Sequence, residues 1–132
     1  ERPLADYLKI EVTATYSKKS DFSSPKATFK PDPYNPATGP DEYDAYIVDA
    51  VAGGSTVNTT KYDSLDTVIV KNNAASGGSN VTAAFQNAAA SAQSQVIAPG
   101  KQGVFPDVLA SANLLLTAAS GTVECEVFIA GT

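Results

Sequence analysis

The sequence predicts an all-β protein: a single antiparallel β-sandwich, jelly-roll-like, of about eight short strands. Three observations carry this expectation. Apolar and polar residues alternate with a period of two in several short runs, Leu8-Lys9-Ile10-Glu11-Val12 being the clearest. Gly- and Pro-containing turns cut the chain between these runs and leave no helical units that could cross over a parallel sheet. The second half, Thr67 to Thr132, carries only five charged residues, Lys71, Lys101, Asp107, Glu124 and Glu126, among Ala, Ser, Thr, Asn, Gly and Val. A sheet protein reads this way when its outer faces are uncharged as well as its core, whereas soluble monomers ordinarily keep a good share of their surface charged.

Taken in order, Leu8 to Tyr16 is a strand with Leu8, Ile10, Val12, Ala14 and Tyr16 on one face and Lys9, Glu11, Thr13 and Thr15 on the other. Residues 1–7 form an N-terminal arm. The stretch 21–44 is a Pro-rich loop, because Pro25, Pro31, Pro33, Pro36 and Pro40 exclude a continuous helix; Ala27-Thr28-Phe29 can add a short edge strand. Strand character resumes from Tyr43 to Val51 and ends at Gly53-Gly54. Leu65 to Lys71 and Asn80 to Gln86 are strands on either side of Gly77-Gly78, which predicts a hairpin. Ala88 to Gln95 reads as strand end plus loop, and Gly103-Val104-Phe105 as a short strand stopped by Pro106. Asn113 to Ala118 and Thr122 to Ala130 form a second expected hairpin around Ser120-Gly121, with Val123, Cys125, Val127 and Ile129 facing the core. The whole chain, 1–132, is expected to be one domain, and a fold of this size buries roughly two-thirds of its unfolded surface.

Composition narrows the function. Net charge is −5, and beyond Lys18-Lys19 there is no basic cluster to neutralise phosphates, so nucleic acid is not an expected partner. No run approaches the ~18 apolar residues that span a bilayer, so no membrane is expected either. Histidine is absent, which removes the usual triads, the common zinc sites and most acid–base designs; an enzyme is not expected, nor a cofactor or a metal. Cys125 lies on the same face as Val123 and Val127, and its plainest role is that of a small buried hydrophobe.

Several motifs have two readings. Asp41-Glu42-Tyr43-Asp44, with Asp32 and Asn35 upstream, offers hard oxygen ligands for Ca²⁺ but lacks EF-hand spacing; the plainer reading is a solvated acidic loop. Tyr34, Tyr43, Tyr46 and Tyr62 cluster near the Pro-rich loop. They can stack on sugar faces beside Asp and Asn, anchor a protein interface, or simply fill the core. Pro99-Gly100-Lys101 has neither the upstream glycine nor the following Ser/Thr of a phosphate loop and is a turn.

The second half also resembles a known family at the level of pattern. Val68-Ile69-Val70-Lys71-Asn72-Asn73 leads to Val81-Thr82-Ala83-Ala84-Phe85, then Val96-Ile97-Ala98-Pro99-Gly100 and Gly103-Val104-Phe105-Pro106-Asp107-Val108. Leu114-Leu115-Leu116-Thr117-Ala118 and Glu126-Val127-Phe128-Ile129-Ala130-Gly131-Thr132 complete it. This stretch, residues 65–132, is similar to the small β-sandwich cement or decoration proteins of tailed-phage virions and related fibre modules. The resemblance implies a structural protein of the virion, on the capsid surface, that oligomerises, often as a trimer, and bridges major capsid subunits. Phe29, Tyr34, Tyr43 and Tyr46 are the expected apolar anchors of partner contact. A carbohydrate- or receptor-binding β-sandwich, such as a fibre tip or an extracellular module, is the alternative function.

Overall fold

The computed structural model describes residues 9, 11, 13–17, 20–21, 23, 25–30, 42–59, 61–86, 93–106, 108 and 113–132. Among them are ten strands: β1 (Ala14–Ser17), β2 (Pro25–Phe29), β3 (Glu42–Val51), β4 (Ser55–Val57), β5 (Leu65–Asn72), β6 (Val81–Phe85), β7 (Ser94–Ile97), β8 (Gln102–Phe105), β9 (Leu114–Ala118) and β10 (Thr122–Gly131). The all-β class expected from the alternation is observed.

The chain divides into two compact units, Glu1–Gly39 and Pro40–Thr132. In the first unit β1 and β2 form an antiparallel ribbon, with Ala14 opposite Phe29 and Thr15 opposite Thr28. Of the strand expected over 8–16, only its end is seen, as the start of β1; Leu8, Ile10 and Val12 lie outside the described residues. The arm 1–7 and residues 31–41 of the expected loop lie outside them as well. At both ends of that loop the strands run slightly further than the sequence suggested. Pro25–Phe29 is a strand, since proline is tolerated at a strand's first position, and β3 begins at Glu42.

The second unit is one eight-stranded sheet in the order β7-β6-β9-β3-β10-β5-β8, with β4 paired to β9. It curls until its ends meet. Gln95 Nε2 on β7 donates to the Val104 carbonyl on β8 at 2.8 Å, and Ile97 packs directly over Gly103, where an added Cβ would come within 2.7 Å of Ile97 Cδ1. The sheet is therefore nearly a barrel. Among the described residues one parallel contact, the pair Val51–Thr117 between β3 and β9, makes it mixed rather than wholly antiparallel.

Along most of these strands inward and outward residues alternate. Val81, Ala83 and Phe85 on β6 meet Leu114 and Leu116 on β9, and Val68 and Val70 on β5 meet Val123, Cys125, Val127 and Ile129 on β10. Phe85 and Phe105 join the two sides edge to face, with centroids 5.2 Å apart. Both expected hairpins are corrected. β5 pairs with β10 and β8, whereas β6 pairs with β7 and β9. β9 and β10 are separated by β3. The glycine turns at 77–78 and 121 thus carry the chain across the core, from one side of the barrel to the other. Alternation fixes which face is buried but not which strand lies alongside.

Asn72 ties one end of the barrel together. Its side chain is fully buried; Nδ2 donates to the Ser79 and Ile97 carbonyls, both at 2.9 Å, and Oδ1 accepts from Ala74 N at 2.9 Å. All of its side-chain capacity toward protein is used except one acceptor lone pair, as a buried amide requires.

Candidate functional site

The outer surface of the second unit has two sides of different character. On β3, β10, β5 and β8 the register sets Ala45 beside Phe128, Phe128 beside Ile69, and Ile69 beside Val104. One row along, Ile47 faces Glu126, which faces Lys71, which faces Gln102. All of these side chains but Val104 line an open groove of about 370 Å³. Its one ion pair, Lys71 Nζ to Glu126 Oε2 at 3.7 Å, is solvated and holds the two chains only weakly. Ile47 is 61% exposed and Tyr43, further along the same face of β3, is 68% exposed.

The opposite side, made by β7, β6, β9 and β4, carries no charged residue. Thr82 stands between Val96 and Thr117, Ala84 between Ser94 and Leu115, and Thr56 opposite Leu115. Val96 is 68% exposed. This is where the charge deficit of the sequence's second half goes. It leaves an uncharged Thr, Ala and Val surface rather than a larger core.

Of the four anchors expected from the sequence, the structure places two on one strand of the second unit. Tyr43 and Tyr46 both lie on β3 but, three residues apart in a strand, on opposite faces. Tyr46 is 37% exposed, and burial, then the charge of Asp44, raises its hydroxyl pKa. Phe29 is opposite Ala14 in the separate ribbon, and nothing is described of its side chain. Tyr34 lies outside the described residues. Tyr62, the fourth tyrosine of the expected aromatic platform, is a core residue, its ring buried.

Asp44 is likewise committed to internal contacts. Its Oδ2 accepts from Tyr62 Oη at 2.7 Å and pairs with Lys61 Nζ at 2.7 Å, and Lys61 also sits 5.0 Å over the Tyr62 ring. The Lys61 contact first, then the Tyr62 hydroxyl, holds the Asp44 carboxyl below its ordinary pKa. Asp41 lies outside the described residues. Among the described residues no three His, Cys, Asp or Glu side chains converge as a metal site would require. Cys125 is wholly buried and its thiol is pushed up to about 11, mainly by burial and then by Asp49 and Glu124. At that pKa and depth it is not a nucleophile. Gly100 has φ +75° and Lys101 N donates to Ala98 O at 3.0 Å, the turn that the sequence predicted.

The groove residues Ile47, Ile69 and Phe128 were not singled out by sequence reasoning. A signal for them existed. Thr67-Val68-Ile69-Val70 and Tyr46-Ile47-Val48 are apolar at consecutive positions, so each must place at least one apolar side chain on the outer face. Compared with protein-family profiles, with characterised proteins and with solved structures, the chain matches none of them.

Proposed function

We propose that this protein is a structural assembly module, a cement or decoration protein at a virion's capsid surface, which bridges major capsid subunits and associates with copies of itself. The observation that carries the reading is the groove on the β3, β10, β5 and β8 face, where Ile47 stands exposed beside Ile69 and Phe128, with Tyr43 exposed further along β3. An exposed apolar strip rimmed by polar side chains is a surface on which another protein can dock. The uncharged β7, β6, β9 and β4 face offers a second such surface on the other side of the same barrel, and two docking sides are what a bridge between subunits needs. The setting, a capsid, comes from the resemblance of residues 65–132.

The mechanism is mass action. A clip that binds only the assembled lattice shifts the equilibrium toward assembly, and several weak contacts per oligomer reinforce one another through effective concentration. The carbohydrate-binding alternative needs an open platform of Tyr and Asp. Asp44 is instead held by Lys61 and Tyr62, and Tyr62 is inside. The test is sedimentation of the purified protein with capsid shells, and thermal melting of those shells with and without it. Binding that raises shell stability and is lost in Ile47→Lys supports the reading. Failure of the wild-type protein to sediment with any shell, together with retention on a glycan column, would replace it with the alternative.

A further inference from the structure

Among the described residues β3 is paired along one edge only. It runs opposite β10 for all ten residues without a bulge, whereas on its other side the sole partner pair is Val51–Thr117. Two observations fix which backbone groups point to that open side. Ser55 Oγ donates to the Asp49 carbonyl at 2.7 Å from the side away from β10. On β10, Glu124 O accepts from Asn73 N at 2.9 Å; because the ladder alternates, Glu124, Glu126 and Phe128 face β5 while Cys125, Val127 and Ile129 bond to Val48, Tyr46 and Asp44 of β3. The N–H and C=O groups of Tyr43, Ala45 and Ile47 therefore point outward from the open edge, and no ladder among the described residues takes them up.

Proteins usually protect such edges with proline, bulges, brevity or charge. The other two ends of this sheet are protected, since β7 and β8 close on each other through Gln95 and Ile97. β3 has no proline, no bulge and ten residues. The open-edge residues ahead of Asp49, whose carbonyl is taken by Ser55, are a tyrosine, an alanine and an isoleucine, two of them more than 60% exposed.

We propose that two copies of this chain join through this edge, β3 to β3, antiparallel about a two-fold axis at Ala45. The strand is self-complementary in that register and in no neighbouring one. With Ala45 opposite Ala45 of the second copy, Tyr43 stands opposite Ile47 twice over, and each of the three facing pairs exchanges two N–H···O=C bonds, about six in all. Shifting by one pair sets Tyr43 against Asp49, whose carbonyl is already taken by Ser55, or carries Ile47 beyond the start of the other β3. In the proposed register Glu42 faces Val48 and Asp44 faces Tyr46, so no like charges oppose each other within the ladder, and Tyr–Ile is among the favourable cross-strand pairs. A closed two-fold contact of this type is isologous and self-limiting. It joins the two grooves into one face across a continuous sheet.

The inference stands apart from the capsid reading, because a two-fold dimer can form whether or not a shell binds it. The test is solution mass by light scattering from micromolar to millimolar concentration, combined with cysteine cross-linking. The wild type is expected to pass from monomer to dimer. Ala45→Cys is expected to yield a covalent dimer on mild oxidation, since facing residues in such pairs have Cα atoms about 5.5 Å apart, within disulfide reach. Asp49→Cys, away from the axis, is expected to yield none, and Cys125 is buried in either variant. Ala45→Pro is expected to weaken dimerisation at least tenfold with the monomer still folded, because that N–H faces outward and proline is tolerated on an edge; Ile47→Lys is expected to act likewise. A monomer at every concentration, a trimer, a dimer indifferent to both substitutions, or cross-linking through position 49 instead of 45 would each overturn the proposal.

Discussion

Removing the Asn72 side chain tests whether one buried amide holds the end of the barrel. In Asn72→Ala the Ser79 and Ile97 carbonyls lose their donor and Ala74 N loses its acceptor. A net hydrogen bond is worth about 1 kcal/mol, and a buried group left unpaired costs about 1–3 kcal/mol more. The bond to Ile97 is buried, while those to Ser79 and Ala74 are partly so and can recover water. The expected loss is therefore about 3 kcal/mol. For a unit of this size each kcal/mol moves the midpoint by about 4–8 °C, so circular dichroism should show melting roughly 12–24 °C lower, with a matching fall in the urea midpoint. Asn72→Asp separates hydrogen bonding from volume. Its carboxylate would face two carbonyls in a buried site, so its folded pKa must lie above the unfolded value near 3.9. A raised folded pKa gives stability that is complete below the unfolded pKa and lost as pH rises through the folded one. The Asp variant should thus approach wild type near pH 3 and fall furthest behind it at pH 7. A loss under about 1 kcal/mol for Asn72→Ala, or an Asp variant whose deficit ignores pH, would refute the reasoning.

Three further outcomes are expected. Gly131→Ala sets a Cβ against the Ser64 carbonyl, within 2.9 Å of Tyr62 Cδ1 and 3.3 Å of Leu65 Cα; urea titration should show about 1–3 kcal/mol lost, the usual cost of overpacking. Asp44 has a depressed pKa, so the stability it provides is present above its unfolded pKa and disappears as acid takes the solution below it. The stability gap between wild type and Asp44→Asn should accordingly narrow or reverse between pH 5 and pH 2, and an unchanging gap would show the Lys61 contact to be energetically silent. Cys125, with its thiol near 11, should react with an aromatic disulfide reagent at pH 8 only as fast as the protein opens, and labelling at the rate of a free thiol would mean that β10 is not buried as described.

The fold class was legible because it rests on alternation, and alternation is local. Val123, Cys125, Val127 and Ile129 face inward as their spacing required. Pairing was not legible, because Gly121 permits the same tight turn whether the strands beyond it lie side by side or on opposite walls. Composition likewise announced an uncharged exterior without locating it, and only the register places Thr82, Val96 and Thr117 in one row. The tyrosines misled for a related reason. Tyr43, Tyr46 and Tyr62 are close in sequence, yet strand geometry sends the first two to opposite faces and the 58–64 loop turns the third into the core. The open edge of β3 could not be read at all, since an unpaired backbone leaves no trace in side-chain pattern.

The strand at the middle of the β3, β10 and β5 wall is the last of them in the sequence. β10 is flanked along its length by strands that begin at Glu42 and Leu65, so during synthesis those two emerge with no strand between them and wait for the segment that will join them. Contacts of such long sequence separation make folding slow, in the millisecond to second range for comparable β-proteins. A ribosome-held chain stopped before Thr122 would present both walls open, with the apolar residues of β3 and β5 in water. The order of translation thus makes completion of β10 the event that commits this barrel to its native form.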